Sequence, residues 1–334
     1  MITIKDIAKK LGISISTVSK GLNGASDISE DMRQLVLDTA LEMGYITKNK
    51  KSTTSHKVSI MVENMNYENI NQFGYEIIMG FRLAAAEHHY DVSVIPMDLY
   101  LQSKQTYDSL MIQNGFSGAF ILGFELEDEY LKQLQKTMIP TVLFDNYISN
   151  KHVGYIGTDN RSGIFSLIKH LYDQGHRKVA LLNGFKYSFV TNQRYDAFIQ
   201  AMNELNLTVD HNLIAFGSFE PETAKDFVAG FLEQGATAIV CASDVIASGV
   251  INEIHRLGKR VPEDVSVTGF DDLPIAKYLA PPLTTVRQER FLIGKSAFTL
   301  LDNLIGHIPI STLLIQSELI ERESVSKIPP TSKE

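Results

Sequence analysis

The stretch TIKDIAKKLGISISTVSKGLNG, residues 3–24, sets two short helical patterns on either side of one glycine. Thr3 with Asp6 has the Ser/Thr-x-x-Asp/Glu form of a helix N-terminus, and Ile4, Ile7, Ala8 and Leu11 follow at helical spacing. Gly12 stops that helix, and Ser14 can cap a second one, in which Val18 and Leu22 form an i, i+4 apolar pair. Its other side carries Ser16, Ser19, Lys20 and Asn23. A helix built only to fill a core would not spend its outer face on small hydroxyls, which favour caps and turns.

A third helix is predicted from Ser29, Glu30 and Asp31, with acids at the positive end of its dipole. Met32, Leu35, Val36, Thr39, Ala40 and Met43 give it a buried stripe, and Gly44 closes it. Two helices joined by a glycine turn make a helix-turn-helix, whose second helix lies in the DNA major groove. On this reading hydroxyls and an amide donate to phosphates, while the helix N-terminus and Lys20 reach base edges. A small helical bundle of unrelated purpose is the alternative.

Composition is ordinary for a globular chain of two or three domains: 334 residues, 44% hydrophobic, 21% charged. No apolar run reaches the roughly 18 residues of a membrane span. The segment MITIKDIAKK has no apolar stretch behind its charges, so no secretory signal is expected, and a cytoplasmic location follows. The single cysteine, Cys241, excludes a disulfide framework or thiolate metal cluster and sits in an apolar run as a core thiol. The net charge of −8 is unevenly spread, because residues 1–57 hold nine Lys/Arg and six Asp/Glu. That +3 against −11 elsewhere describes a basic arm on an acidic body, or a chance cluster of surface lysines.

Beyond residue 57, the runs KVSIMV, DVSVIP, GAFILG, PTVLFD, HVGYIG, KVALLN, ATAIVCA and SVTGFD are short, β-branched and mostly followed by helical patterns. Such alternation predicts parallel sheets with helices on both faces, and ligands at the carboxyl ends of the strands. Asn64, Phe124, Asp145, Asn183, Ser243-Asp244 and Asp271-Asp272 stand at those ends. The obvious enzyme signatures are missing, including G-x-G-x-x-G after a strand, G-x-x-x-x-G-K-S/T, G-x-S-x-G and H-E-x-x-H. His88, His89, His170 and His176 read as surface histidines rather than a metal site. No enzyme, cofactor or metal is expected.

Residues 3–24 together with ISEDMRQLVLDTALEMGY, residues 28–45, closely resemble the headpiece of the LacI/GalR family of bacterial transcription regulators. The resemblance implies that Ile15, Ser16 and Lys20 read bases, and that Thr17, Ser19 and Asn23 position phosphates. Ile15 is also spaced to pack with Val18 and Leu22. After Tyr45 the family pattern is left behind. ITKNKKSTTSHK, residues 46–57, has no proline, no Ala-Arg and no leucine to wedge into the minor groove. By composition it is a basic flexible linker, so less operator bending is expected.

The similarity continues over about residues 57–325, carried by RYDAF from Arg194, ASDVIASG at 242–249, PEDVSVTGFDD at 262–272, PPLTTVRQE at 281–289 and LIERES at 319–324. It implies an all-α helix-turn-helix headpiece, residues 1–45, followed by an α/β periplasmic-binding-protein-like core of two doubly wound lobes, residues 58–326. Lobe 1 would take about 58–157 and 288–315, lobe 2 about 158–286 and 317–326, with crossings near 157, 287 and 316, and a tail at 327–334. The ligand would lie in the cleft, held by Arg194 and Asp271, with Ser243 where many members have asparagine and Asp145 at a strand end. Arg194 and Asp271 could alternatively form a bridge without a ligand role. Arg290 stands where an aromatic is common, pointing either into the cleft, for an acidic ligand, or out to solvent. Of the aromatics Phe73, Phe124, Tyr147 and Phe185, only Phe73 matches a family position, within the long stretch 63–76. The implied function is a ligand-responsive repressor of carbohydrate utilisation, binding a pseudo-palindromic operator as a homodimer with a sugar effector. A solute sensor without operator binding is the rival.

Overall fold

The computed structural model describes residues 2–22, 25, 27–43, 45 and 56–328. Asn23, most of the 46–57 linker and most of the 327–334 tail therefore lie outside the described residues.

The chain opens with α1 (Ile4–Leu11), α2 (Ile15–Leu22) and α3 (Glu30–Glu42). The alternating part then runs β1 (Lys57–Val62), α4 (Phe73–Glu87), β2 (Asp91–Pro96), α5 (Leu99–Lys104), α6 (Tyr107–Asn114), β3 (Gly118–Leu122), α7 (Glu129–Leu134), β4 (Thr141–Phe144) and β5 (Val153–Thr158). It continues through α8 (Asn160–Asp173), β6 (Val179–Asn183), α9 (Phe189–Glu204), β7 (Ile214–Phe216), α10 (Ala224–Glu233), β8 (Ala238–Cys241), α11 (Asp244–Arg256), β9 (Ser266–Thr268) and β10 (Thr285–Arg287). The last elements are α12 (Arg290–Ile305), β11 (Thr312–Ile315) and β12 (Glu318–Ile320).

These elements form two compact units. The first comprises Met1–Met65, Ile77–Gly157 and Phe291–Leu313, and the second Asn66–Glu76, Thr158–Arg290 and Leu314–Glu334. In the first, the sheet order is β11-β5-β4-β3-β1-β2, and the pairs from β1 to β5 are parallel. The second carries the parallel sheet β7-β6-β8-β9 and the antiparallel pair β10-β12. Every residue of β3, β4, β6 and β8 is buried, as parallel strands covered on both faces require. No helix among the described residues is long and apolar enough to cross a membrane.

All eight apolar runs contain strands, but β7, β10, β11 and β12 are additional. They are three or four residues long, and β11 and β12 lack any fully buried residue, so no apolar run marks them. SVTGFD is a strand only through Thr268, because Asp271 and Asp272 turn the chain with φ of 118° and 50°. One histidine reading is corrected. His176 is buried, not on the surface, and its Nε2 donates to the Ser326 carbonyl at 3.0 Å.

The headpiece helices close around Ile7, Ala8, Val18, Leu22, Val36, Leu37 and Ala40. Each fully buried Ile, Val or Leu among them contributes about 1.5–3 kcal/mol. At the head of α1 the Asp6 carboxylate accepts from the Thr3 amide at 2.8 Å and the Thr3 hydroxyl at 2.7 Å.

Candidate functional sites

In the headpiece, Ser14 Oγ accepts from the Thr17 amide at 3.0 Å and caps α2. Val18 and Leu22 face inward, and Gly21 lets α3 close on α2, since a Cβ there would sit 2.9 Å from Val36. What remains outside is the face expected to meet DNA. Ser16 and Lys20 are exposed, and Thr17 and Ser19 are half-buried. Ile15 is 48% exposed, so it does not pack with Val18 and Leu22. Thr17 Oγ1 lies 2.8 Å from Ser14 Oγ. Lys20 is paired with Asp27, and that bond holds the Asp27 carboxyl below its usual range. The pairing of Asp27 is not legible in the sequence, because nothing in its spacing shows which lysine it meets.

A second cluster lies in the second unit, at the carboxyl ends of β8 and β9. The Arg194 guanidinium, projected by α9 and 3% exposed, stacks 3.9 Å above the Phe270 ring. Its Nε donates to Asn160 Oδ1 at 2.9 Å and its Nη1 to the Ala242 carbonyl. Asp271 is 3.9 Å from Arg194 Nη2, too far for a bidentate fork. Its close partner is Gln288, whose Nε2 donates to Asp271 Oδ1 at 2.6 Å. Thr158 donates in turn to Gln288 Oε1. The cluster thus contains a guanidinium and a carboxylate held apart by separate anchors.

Arg290 belongs to the same cluster and is not a solvated helix residue. It is 5% exposed, with Nη1 donating to the Asp271 carbonyl at 2.7 Å and Nη2 bonded to Glu76 Oε2 at 2.8 Å. Its Nε is buried and makes no hydrogen bond within the described residues. Phe73, at the start of α4, places its ring centroid 6.0 Å from the Arg290 guanidinium carbon. Ser243 serves α11, since its Oγ accepts from the Ile246 amide at 3.1 Å. Asp145 is the one expected ligand residue in the first unit, at the end of β4, where a Cβ on Gly157 would lie 2.7 Å from its Oδ1.

Burial raises the Asp271 carboxyl to about 6 against the pull of Arg194, Gln288 and Arg290. Asp244, fully buried beneath it, is pushed well up by burial and by the Asp271 charge. It still accepts from the Thr285 hydroxyl at 2.5 Å and the Leu273 amide at 2.7 Å. Each of the two guanidinium groups faces a carboxyl group, Arg194 that of Asp271 and Arg290 that of Glu76, so the cluster's positive charges are matched. Asn160, Gln288, Phe270 and Glu76 are additions that single positions in the sequence do not announce, although Gln288 and Phe270 fall inside the family-like runs.

A helix-turn-helix headpiece followed by two parallel α/β units, one with a buried polar cluster at its strand ends, defines a DNA-binding regulator with a sensor core. Residues 3–48 match the family described as "Bacterial regulatory proteins, lacI family", and residues 168–325 match a "Periplasmic binding protein-like domain". The chain is 31% identical over 335 residues to the HTH-type transcriptional repressor CytR of Escherichia coli (strain K12), covering 98% of this chain and 97% of the relative. It is 29% identical to the HTH-type transcriptional repressor PurR of Vibrio vulnificus, covering 98% of this chain and 100% of the relative. Among solved structures it resembles a transcriptional regulator CelR–cellobiose complex, with TM-score 0.70, 23% identity and coverage of 97% and 100% of the two chains. The lac repressor dimer bound to operator and the anti-inducer ONPF gives TM-score 0.69 at 22% identity, covering 97% and 99%. The chain belongs to the LacI family of bacterial transcription regulators.

Proposed function

We propose that the chain is an effector-controlled repressor that binds a pseudo-palindromic operator as a homodimer in the cytoplasm, and that it catalyses no reaction. The observation that carries DNA reading is α2 itself, whose apolar residues Val18 and Leu22 are spent on the headpiece core while Ile15, Ser16 and Lys20 stay outside. In this reading residues 1–45 bind DNA, 46–57 link, and 58–326 sense the effector. Lobe 1 takes about 58–157 and 288–315, and lobe 2 about 158–286 and 317–326. Ile15, Ser16 and Lys20 read bases, Thr17, Ser19 and Asn23 meet phosphates, and Arg194, Asp271, Arg290, Phe73, Ser243 and Asp145 serve the effector.

The matched charges around Asp271 favour a neutral polyhydroxylated effector over an anionic one. Hydroxyls both donate and accept, so they can bridge a guanidinium and a carboxylate held 3.9 Å apart. The cellobiose in the CelR complex is a precedent for such a ligand within the fold.

The test is selection of a preferred site from a random DNA library, followed by titration of that site at several salt concentrations. Wild type should enrich two related half-sites and bind more weakly as salt rises. Lys20→Ala should weaken binding to the selected site by about 1–3 kcal/mol. No enriched sequence, with the variant indistinguishable from wild type, would leave the solute sensor as the better reading.

A further inference from the structure

Helix α6 divides its side chains between two cores. Tyr107 and Met111 enter the core beneath the first unit's sheet, with Ile121, Leu131 and Leu143. Ile112, the next residue along, belongs to the other cluster, with Ile7, Val18, Leu22, Val36 and Leu37 of the headpiece, and is only 8% exposed. Beside it Gln113 Nε2 donates to the Leu22 carbonyl at 3.2 Å. Leu22 is the last residue of α2, where carbonyls have no partner within their own helix. The Gln113 amide is oriented by Gln105, whose Nε2 donates to Gln113 Oε1 at 2.7 Å. α6 itself is held firmly. The Tyr107 amide donates to Gln133 Oε1 at 2.7 Å, Tyr107 and Thr141 share a 2.6 Å hydroxyl contact, and Thr137 donates to Asp108 at 2.5 Å.

We infer that α6 is a docking surface for the chain's own headpiece, with Ile112 as its apolar anchor and Gln113 as the cap on the recognition helix. The contact reaches the end of α2 and leaves Ile15, Ser16 and Lys20 exposed, so a docked headpiece keeps its DNA-facing side open. The departure of residues 46–57 from the family's proline, Ala-Arg and leucine pattern gives this surface a purpose. Where the connecting sequence lacks that pattern, direct docking on α6 fixes the recognition helix to the core, and the core then sets the separation of the two recognition helices in a dimer.

Docking of the headpiece can be read without effector or operator. Cys241 is buried, so a cysteine introduced by Lys5→Cys at an exposed headpiece position accepts a thiol-reactive fluorophore selectively. Time-resolved anisotropy of the labelled full-length chain then reads how the headpiece tumbles. The expected result is a correlation time of the whole chain in the parent, falling several-fold in Ile112→Asp and in Gln113→Glu while the core's melting transition is retained. Gln113→Glu keeps the side-chain shape, removes the donor and sets a negative charge against a helix C-terminus. If the parent headpiece already tumbles fast, docking is overturned. A slow headpiece in both folded variants would overturn the assignment to Ile112 and Gln113. Loss of the core transition in Ile112→Asp leaves the decision to Gln113→Glu, where either tumbling rate decides.

Discussion

Asp271 and Asp272 are consecutive non-glycine residues with left-handed backbone, a conformation that costs of order 1–3 kcal/mol per residue and persists only where surrounding bonds insist on it. Those bonds are present. The Asp272 carboxylate accepts from Arg287 Nε at 2.8 Å and Arg322 Nη2 at 2.5 Å, and the Asp271 amide donates to the Val286 carbonyl at 2.8 Å. Asp272 thereby aims its neighbour. Another residue adds a pH dependence of its own. Glu63, 6% exposed at the end of β1, accepts from Gln102 at 2.6 Å and faces Asp128, Asp98 and Glu125. Burial first, then those carboxylates, raise it from 4.5 to about 7. At Glu63 the folded chain therefore holds a proton that the unfolded chain releases, and this residue's contribution to stability falls as pH rises from 4.5 to about 7. Glu63→Gln keeps an acceptor for Gln102 and removes the charge. Thermal melts should show the variant more stable than wild type at pH 8, with the gap closing by pH 4; an equal gap at both would refute the assignment.

Among elements, α4 and α12 approach so closely that Gly80 and Gly294 have no room for a methyl group. A Cβ on Gly80 would lie 2.1 Å from the Phe291 carbonyl oxygen, and one on Gly294 1.9 Å from that of Ile77. Backbone cannot yield as a side-chain tip can, so Gly80→Ala and Gly294→Ala should each destabilise by about 1–3 kcal/mol or more. Gly230, inside α10, meets nothing within 4 Å of an added Cβ. Gly230→Ala should instead stabilise by about 0.5–1 kcal/mol, because only the conformational cost of the glycine is removed. Denaturant melts of the three variants check both signs together. The alternating apolar runs made β1, β2, β3, β4, β5, β6, β8 and β9 legible as strands, whereas β10 and β12 are defined by each other, through the pairs Thr285–Ile320 and Arg287–Glu318. A pairing between distant segments leaves no local pattern.

For the whole molecule, occupancy of the effector site should be visible as added stability. A neutral sugar at a hundred times its dissociation constant contributes about 2.7 kcal/mol, raising the melting temperature. A hit from a panel of neutral sugars should vanish in Arg194→Ala. A hit that survives, or one confined to sugar phosphates, would contradict the charge-matched reading of the site. The linker sequence carries its own expectation. Without a leucine to wedge between base steps, circular-permutation analysis of the bound operator should show little central bend, and a strong kink would count against it.

The sequence by itself determined the headpiece, because capping, glycine stops and i, i+4 apolar pairs are local and act within a few residues. It also determined the α/β class, since strands buried on both faces must be continuous apolar runs. Family-like motifs carry Arg194 and Asp271. Tertiary structure decided the rest: that Gln288 rather than Arg194 is the close partner of Asp271, that Glu76 neutralises Arg290, that Ile15 faces outward, and that Ile112 belongs to the headpiece core. Each of these is a meeting of side chains far apart in the chain, or a choice of which face is covered. Only packing settles such choices, because hydrogen-bond reach and burial depend on separation in space rather than along the sequence.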